Sequence, residues 1–284
     1  MSKDLFKNKI IWLASYPKSG NTWFRAFLTA LINEDEVEIN KIKTDGIFSS
    51  REIFESISDI DSCDLYQQEI QNMQPDIFNQ LALEVDKTCI IKVHDAFTKN
   101  SEDKYIIPEA VSHCAIYFIR NPLDVVGSFA NHNATTIDRT IKLMNNPVGQ
   151  LAAQPNNMNI NNQTAQLMLD WSGHVKSWTK QPSFPVYVLR YEDMLSNTFN
   201  VFKDVINKIG WQYSDEQIKD AIKASSFEVL SAQEKEKGFA EKNIKSNVFF
   251  RGGKMGNWND ELDQIQINKI KEQHKEVMEE FGYL

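Results

Sequence analysis

Four short apolar runs punctuate the chain, at 9–15, 87–94, 113–120 and 186–191, each rich in β-branched or aromatic residues. Runs that are apolar throughout, rather than alternating, predict strands buried on both faces. Between them apolar positions recur at helical spacing. Phe24, Phe27, Leu28 and Leu31 mark a helix running to Asn33, and Asn121 caps another opened by Pro122. Further helices are expected at about 64–84, broken by Pro75, and at about 166–180, 198–209, 214–224 and 260–281. Trp171 and Trp178, seven apart, share one face of the 166–180 helix and read as core. Residues 34–62 read as loops with short helices, and the charged stretch before Asn247 as a loop. The span 131–164 holds nine asparagines and little charge, which in a compact domain reads as a lid over a ligand or as a disordered insertion. Strands alternating with helices predict an α/β fold, a mostly parallel central sheet flanked by helices in three layers. Ligands of such folds collect at the carboxyl ends of the strands.

Composition narrows this little. A chain of 284 residues suits a single α/β domain over 1–284, and 42% hydrophobic with 25% charged residues is ordinary for a globular protein. The net charge of −8 argues against nucleic-acid partners, so a polyanionic ligand must be drawn by a local basic cluster. Cys63, Cys89 and Cys114 are few and odd in number and read as thiols of a reducing compartment. No Cys-x-x-Cys or His-Glu-x-x-His spacing occurs, so no metal is expected. The first nine residues lack an apolar leader and no run reaches membrane-spanning length. A cytoplasmic protein with no membrane partner is expected.

Candidate chemistry begins where the first strand ends. Tyr16-Pro17-Lys18-Ser19-Gly20-Asn21-Thr22-Trp23 turns the strand into the first helix, with Pro17 and Gly20 making the turn and Asn21 or Thr22 able to cap. Amides at a helix start, the helix dipole and Lys18 together favour an anion. An ATPase loop places Lys after its last Gly and follows it with a magnesium-holding hydroxyl. Here Lys18 precedes Gly20 and no such triplet follows, which suggests sulfuryl rather than phosphoryl transfer.

This loop resembles the 5′-phosphosulfate loop of sulfotransferases that use 3′-phosphoadenosine 5′-phosphosulfate (PAPS). Further matches follow in order. Lys92-Val93-His94-Asp95 ends the second run; Lys92 and His94, two apart on a strand, leave the same face. Asp95 points the other way, as a local cap or surface residue. Arg120 and Ser128, eight apart, resemble the family's 3′-phosphate pair. Arg190-Tyr191-Glu192-Asp193 and Ser225-Ser226-Phe227 match farther on. Arg251-Gly252-Gly253-Lys254-Met255-Gly256-Asn257-Trp258 resembles the family's Arg-Lys-Gly-x-x-Gly-Asp-Trp segment, with Gly252 in place of Lys and Asn257 in place of Asp.

The resemblance implies a P-loop-like fold, PAPS as donor and adenosine 3′,5′-bisphosphate (PAP) as product. It implies His94 as general base, with Lys18 and Lys92 stabilising charge. Lys18, Ser19, Gly20, Asn21 and Thr22 would hold the 5′-phosphate, and Arg120, Ser128, Arg251, Gly252 and Gly253 the 3′-phosphate. Trp23 and Phe227 would flank the adenine, with Tyr191 and Ser225 nearby. Loss of the Lys at 252 bears on 3′-phosphate affinity. The acceptor is a small molecule with a hydroxyl or amine, and Phe97, Phe129 and Met144 are candidates for an apolar wall. No C-terminal dimerisation motif is recognised, so no oligomeric state is assigned. Two other readings compete: a binder of PAP without activity, and a nucleotide kinase of related fold.

Overall fold

In chain order the computed structural model contains β1 (Ile10–Ser15), α1 (Asn21–Asn33), β2 (Gly46–Ile47), α2 (Arg51–Ser58), α3 (Gln67–Glu84), β3 (Cys89–Val93), β4 (Ser112–Ile119), α4 (Pro122–His132), α5 (Ile137–Met144), β5 (Gln150–Leu151) and β6 (Gln166–Leu167). It continues with α6 (Trp171–Lys180), β7 (Val186–Arg190), α7 (Tyr191–Ser196), α8 (Thr198–Lys208), α9 (Asp215–Ala224), α10 (Phe227–Lys237), α11 (Trp258–Glu261) and α12 (Gln264–Glu280). Residues 9–33, 37–42, 44–153, 162–244, 246 and 248–284 are described. Residues 1–8, 154–161 of the expected lid, and 34–36, 43, 245 and 247 of the expected loops lie outside them. Five strands form the main sheet in the order β2-β3-β1-β4-β7. β1 and β2 each run parallel to β3, with Ile10 opposite Cys89 and Ala14 opposite Val93. All six residues of β1 are buried, as its unbroken apolar run predicts for a strand inside a covered sheet. No helix among the described residues is long and apolar enough to cross a membrane.

The chain clusters into two compact units. The first comprises Met1–Tyr16, Thr44–Tyr117 and Asn146–Val188. Its core packs Trp12 edge-on against Phe48 and Phe78, while the Trp12 indole N–H donates to Ser112 Oγ at 2.7 Å. Phe97 packs with Tyr105, Trp178 and Phe184, and Trp171 and Trp178 are fully buried, as expected. The second unit comprises Pro17–Lys43, Phe118–Asn145 and Leu189–Leu284. There Phe24 and Phe27 of α1 pack on Phe202 of α8, and Phe129 and Met144 are fully buried. Asn121 caps α4 by accepting from the Leu123 amide at 3.0 Å, with Pro122 at the first helical position.

Several elements differ from expectation for local reasons. α3 runs unbroken through Pro75. The carbonyl that Pro75 cannot serve, that of Gln71, accepts instead from the Asn100 side-chain amide at 3.3 Å. Gln166 and Leu167 pair antiparallel with β5, so the helix expected from 166 starts at Trp171, capped by Asp170. Within the asparagine-rich span, α5 forms with Thr136 as its cap and Thr140, Ile141 and Met144 buried. The charged stretch after Ser226 is helical, as α10, and ends at Gly238 in the left-handed region. β2 is too short for a sequence pattern to show.

Candidate active site

The chain enters the second unit at Pro17 and turns through two left-handed positions, Lys18 (φ 70°) and Gly20 (φ 105°). A Cβ on Gly20 would lie 2.8 Å from the Tyr191 ring, so glycine is demanded by both backbone and space. The Gly20 carbonyl accepts from the amides of Trp23 at 3.1 Å and Phe24 at 3.3 Å. Gly20 thus starts α1, and Asn21 is its first residue rather than its cap. Ser19 is 1% exposed, and its hydroxyl has no hydrogen-bond partner among the described residues. Thr22 and Trp23 are half-buried; Trp23 packs against Tyr191 and Phe202. The Lys18 ammonium stands 3.5 Å from the centre of the Phe249 ring, a cation–π contact.

Arg120 ties this loop to the Gly-rich segment. Its guanidinium donates to the Lys18 carbonyl and to the Lys254 carbonyl, both at 3.2 Å, and lies 4.2 Å over the Tyr191 ring. Arg120 Nε is buried with no partner among the described residues. Gly253 (φ 57°) rests on Phe227, where a Cβ would come within 2.5 Å of the ring. Arg251 pairs with Glu261 at 2.8 Å, and the Lys254 side chain is exposed. At Gly252 a Cβ would meet the Asn257 amide at 3.1 Å. Ser128 is half-buried on α4. Ser225 is fully buried and its hydroxyl donates to the Ala221 carbonyl at 2.8 Å, which leaves it an acceptor toward any ligand. Every residue implied for the nucleotide is therefore in one unit.

Two carboxylates that sequence reasoning missed hold the Gly-rich segment at both ends. Glu234 of α10 accepts from the amides of Phe249 at 2.6 Å and Phe250 at 2.8 Å. Asp124 of α4 accepts from those of Gly256 at 2.8 Å and Trp258 at 3.2 Å. Each lies in an ordinary helical stretch, and no local pattern distinguishes it from a surface acid.

Lys92 and His94 lie in the first unit, where they alone among residues 89–97 escape full burial. That alternation agrees with their sharing one strand face. His94 Nδ1 lies 2.8 Å from the Ser15 carbonyl, which can only accept. The Ser15 hydroxyl lies 3.3 Å from the same nitrogen; a neutral ring that donates from Nδ1 to the carbonyl carries its basic lone pair on Nε2. His174 of α6, also missed, is fully buried beneath this segment. Its Nε2–H donates to the His94 carbonyl at 3.1 Å, and its Nδ1 accepts from the Tyr117 hydroxyl at 2.8 Å. Burial lowers its pKa to about 3, so it stays neutral. Its placement three after Trp171 and four before Trp178 on the buried face was the available signal.

Asp95 is 1% exposed rather than on the surface. It caps the Leu167 amide at 3.2 Å, while its other oxygen has no partner among the described residues. Burial raises its pKa to about 8, against the opposing pull of the Leu167 amide. The folded chain holds this proton more tightly than the unfolded one, whose carboxyl titrates near ~3.9. Its contribution to stability is full below that value and is lost as pH rises through about 8. Asp95→Asn should therefore gain melting temperature relative to wild type on going from about pH 5 to about pH 9. A difference constant across that range would contradict the assignment.

A family model described as the sulfotransferase domain matches residues 8–282. A flavonol 3-sulfotransferase of Flaveria bidentis is 24% identical over 273 residues, spanning 92% of this chain and 78% of that protein. Sulfotransferase 1 family member D1 of Mus musculus is 24% identical, spanning 95% of this chain and 83% of that protein. Among solved structures, retinol dehydratase in complex with androsterone and the inactive cofactor PAP superposes with a TM-score of 0.60 at 16% identity, covering 97% of this chain and 82% of that one. A mouse sulfotransferase complexed with PAP gives 0.58 at 19% identity, covering 98% and 88%. These structures share the fold, a mostly parallel five-stranded sheet flanked by helices. The turn after β1, the residues gathered around Arg120 and a domain model spanning almost the whole chain converge, and the protein belongs to the sulfotransferase family.

Proposed function

We propose that the protein transfers the sulfuryl group of PAPS to a hydroxyl or amine of a small-molecule acceptor. The observation that carries this reading is the pair of buried polar atoms without partners, Ser19 Oγ and Arg120 Nε, beside a left-handed turn and a helix start. Buried donors are normally satisfied, so each of the two fits a bound anion, Ser19 at the 5′-phosphate and Arg120 at the 3′-phosphate of the nucleotide. The PAP found with relatives of the same fold supports the choice of nucleotide.

PAPS supplies the activated sulfuryl group on its 5′-phosphate. Lys18, Ser19, Thr22 and the amides from Gly20 to Asn21 would hold that end, with Lys18 countering charge on the leaving oxygen. Arg120 and Ser128 would hold the 3′-phosphate together with Arg251 and the amides of Gly252 and Gly253. Glu261 already occupies Arg251, so a phosphate there competes with a carboxylate. Trp23 and Phe227 would flank the adenine, and Tyr191 and Ser225 would complete its surroundings. His94 Nε2 takes the proton of the attacking hydroxyl or amine while Lys92 steadies charge on the transferring group. The three cysteines, few and odd in number, support a reducing, cytoplasmic location.

The test is a thermal-shift comparison of PAP with 5′-AMP, which lacks the 3′-phosphate, with and without Mg²⁺. A ligand at 100 times its Kd stabilises by about 2.7 kcal/mol. PAP should raise the melting temperature by a few degrees without metal, and AMP by far less. Equal shifts would remove the 3′-phosphate site, and a Mg²⁺-dependent shift with ATP would favour the kinase.

A further inference from the structure

Helix α6 grips the segment that carries His94 at three successive backbone points. The His174 imidazole donates to the His94 carbonyl at 3.1 Å, and the Trp178 indole donates to the Asp95 carbonyl at 3.0 Å. Ser177 Oγ accepts from the Phe97 amide at 3.0 Å and donates to the His174 carbonyl at 2.8 Å. The Ala96 amide of the same segment donates to the Leu167 carbonyl at 2.7 Å. α6 is itself fixed at its start, where Asp170 caps the Gly173 amide at 2.5 Å. All these groups lie in the first unit, and Asp95, Ala96, Phe97, His174, Ser177 and Trp178 are buried.

A buried histidine normally satisfies its two nitrogens wherever partners happen to be. Here one partner is the carbonyl of the residue whose ring is proposed to do the chemistry. We infer that α6 is the positioning element for His94, with His174 as its direct contact. By holding the His94 carbonyl, His174 fixes the peptide from which that side chain departs. The His94 ring can then reach the Ser15 carbonyl with Nδ1 and keep its basic lone pair on Nε2. Small displacements of a catalytic group cost rate steeply, which makes such a grip matter for turnover more than for binding. The inference rests on the proposed role of His94 as base.

Two near-isosteres separate the two ends of His174. In His174→Gln the side-chain amide reaches the Nε2 position and can still donate to the His94 carbonyl. In His174→Asn it reaches only the Nδ1 position and serves Tyr117 alone. PAP release from PAPS is measured with phenol, benzyl alcohol and benzylamine as acceptor probes, alongside PAP affinity and melting temperature. The Asn variant should lose roughly 10- to 100-fold in kcat with PAP affinity held within about twofold, while the Gln variant stays within about threefold of wild type. Equal losses in both, in step with melting temperature, would reduce His174 to a structural residue and overturn the inference, as would unchanged kcat in the Asn variant. If that variant does not fold, Trp178→Phe removes the neighbouring donor while keeping an aromatic ring. It should lower kcat about 3- to 10-fold at constant PAP affinity, and an unchanged kcat would overturn the inference. His94→Ala, run in parallel, separates the two failures. If it turns over normally the base assignment falls; if it is inactive while the His174 and Trp178 variants are normal, only the positioning role falls.

Discussion

His94→Ala is expected to lower PAPS turnover by roughly 10²- to 10⁴-fold while leaving PAP affinity within about twofold. His94 is not among the residues proposed to bind the nucleotide, so truncating its ring removes no proposed nucleotide contact. The magnitude follows from the tautomer. With the Nδ1 proton engaged by the Ser15 carbonyl, the ring presents its lone pair at Nε2, the form a general base requires at neutral pH. Steady-state rates with the three acceptor probes, together with calorimetric titration of PAP, check both halves. A large loss of PAP affinity would assign His94 to binding, and near-wild-type turnover would remove it from the chemistry.

Arg120→Ala is expected to weaken PAP binding by about 10²-fold or more and to bring PAP and AMP affinities close together. Charge-assisted hydrogen bonds contribute about 1.5–3 kcal/mol each, and removing a buried guanidinium from a phosphate commonly costs 2–5 kcal/mol, so the effect should exceed that of any surface lysine. Arg120 also has an internal duty. Its donations to the Lys18 and Lys254 carbonyls and its stacking on Tyr191 join the loop to the Gly-rich segment, so the variant should lose about 1–3 kcal/mol of stability as well. Arg120→Lys separates the two duties, because it keeps the charge and loses the planar fork. It should recover part of the PAP affinity and little of the stability. If PAP and AMP affinities fall in parallel in the Ala variant, Arg120 acts only as a clip and the 3′-phosphate is bound elsewhere.

Much of this was legible because the determining residues are close in sequence. β1, the turn at Pro17 to Gly20 and α1 declare themselves within 25 positions, and the same is true of β4 with its Asn121 cap. What escaped notice depends on partners far along the chain. Pro75 reads as a helix breaker until Asn100 supplies the donor for the Gln71 carbonyl. α10 buries only Leu230 and Glu234, so its apolar residues never establish a period, although Ser226, the closing lysines and Gly238 mark its ends. α5 carries Ile137, Ile141 and Met144 at helical spacing, hidden by the asparagines around them. At the site, residue types that recur in a motif were found. Glu234, Asp124 and His174, whose importance lies in which backbone atoms they hold, were not.

The central claim is transfer of a sulfuryl group from PAPS, and the measurement that tests it most directly is PAP release from PAPS with and without the acceptor probes. Wild type should release PAP faster when phenol, benzyl alcohol or benzylamine is present, with an equal amount of sulfated product, and His94→Ala should lose that acceptor-dependent release. If PAP binds tightly but no acceptor accelerates its release from PAPS, the protein binds the nucleotide without transferring the group, and the account is contradicted.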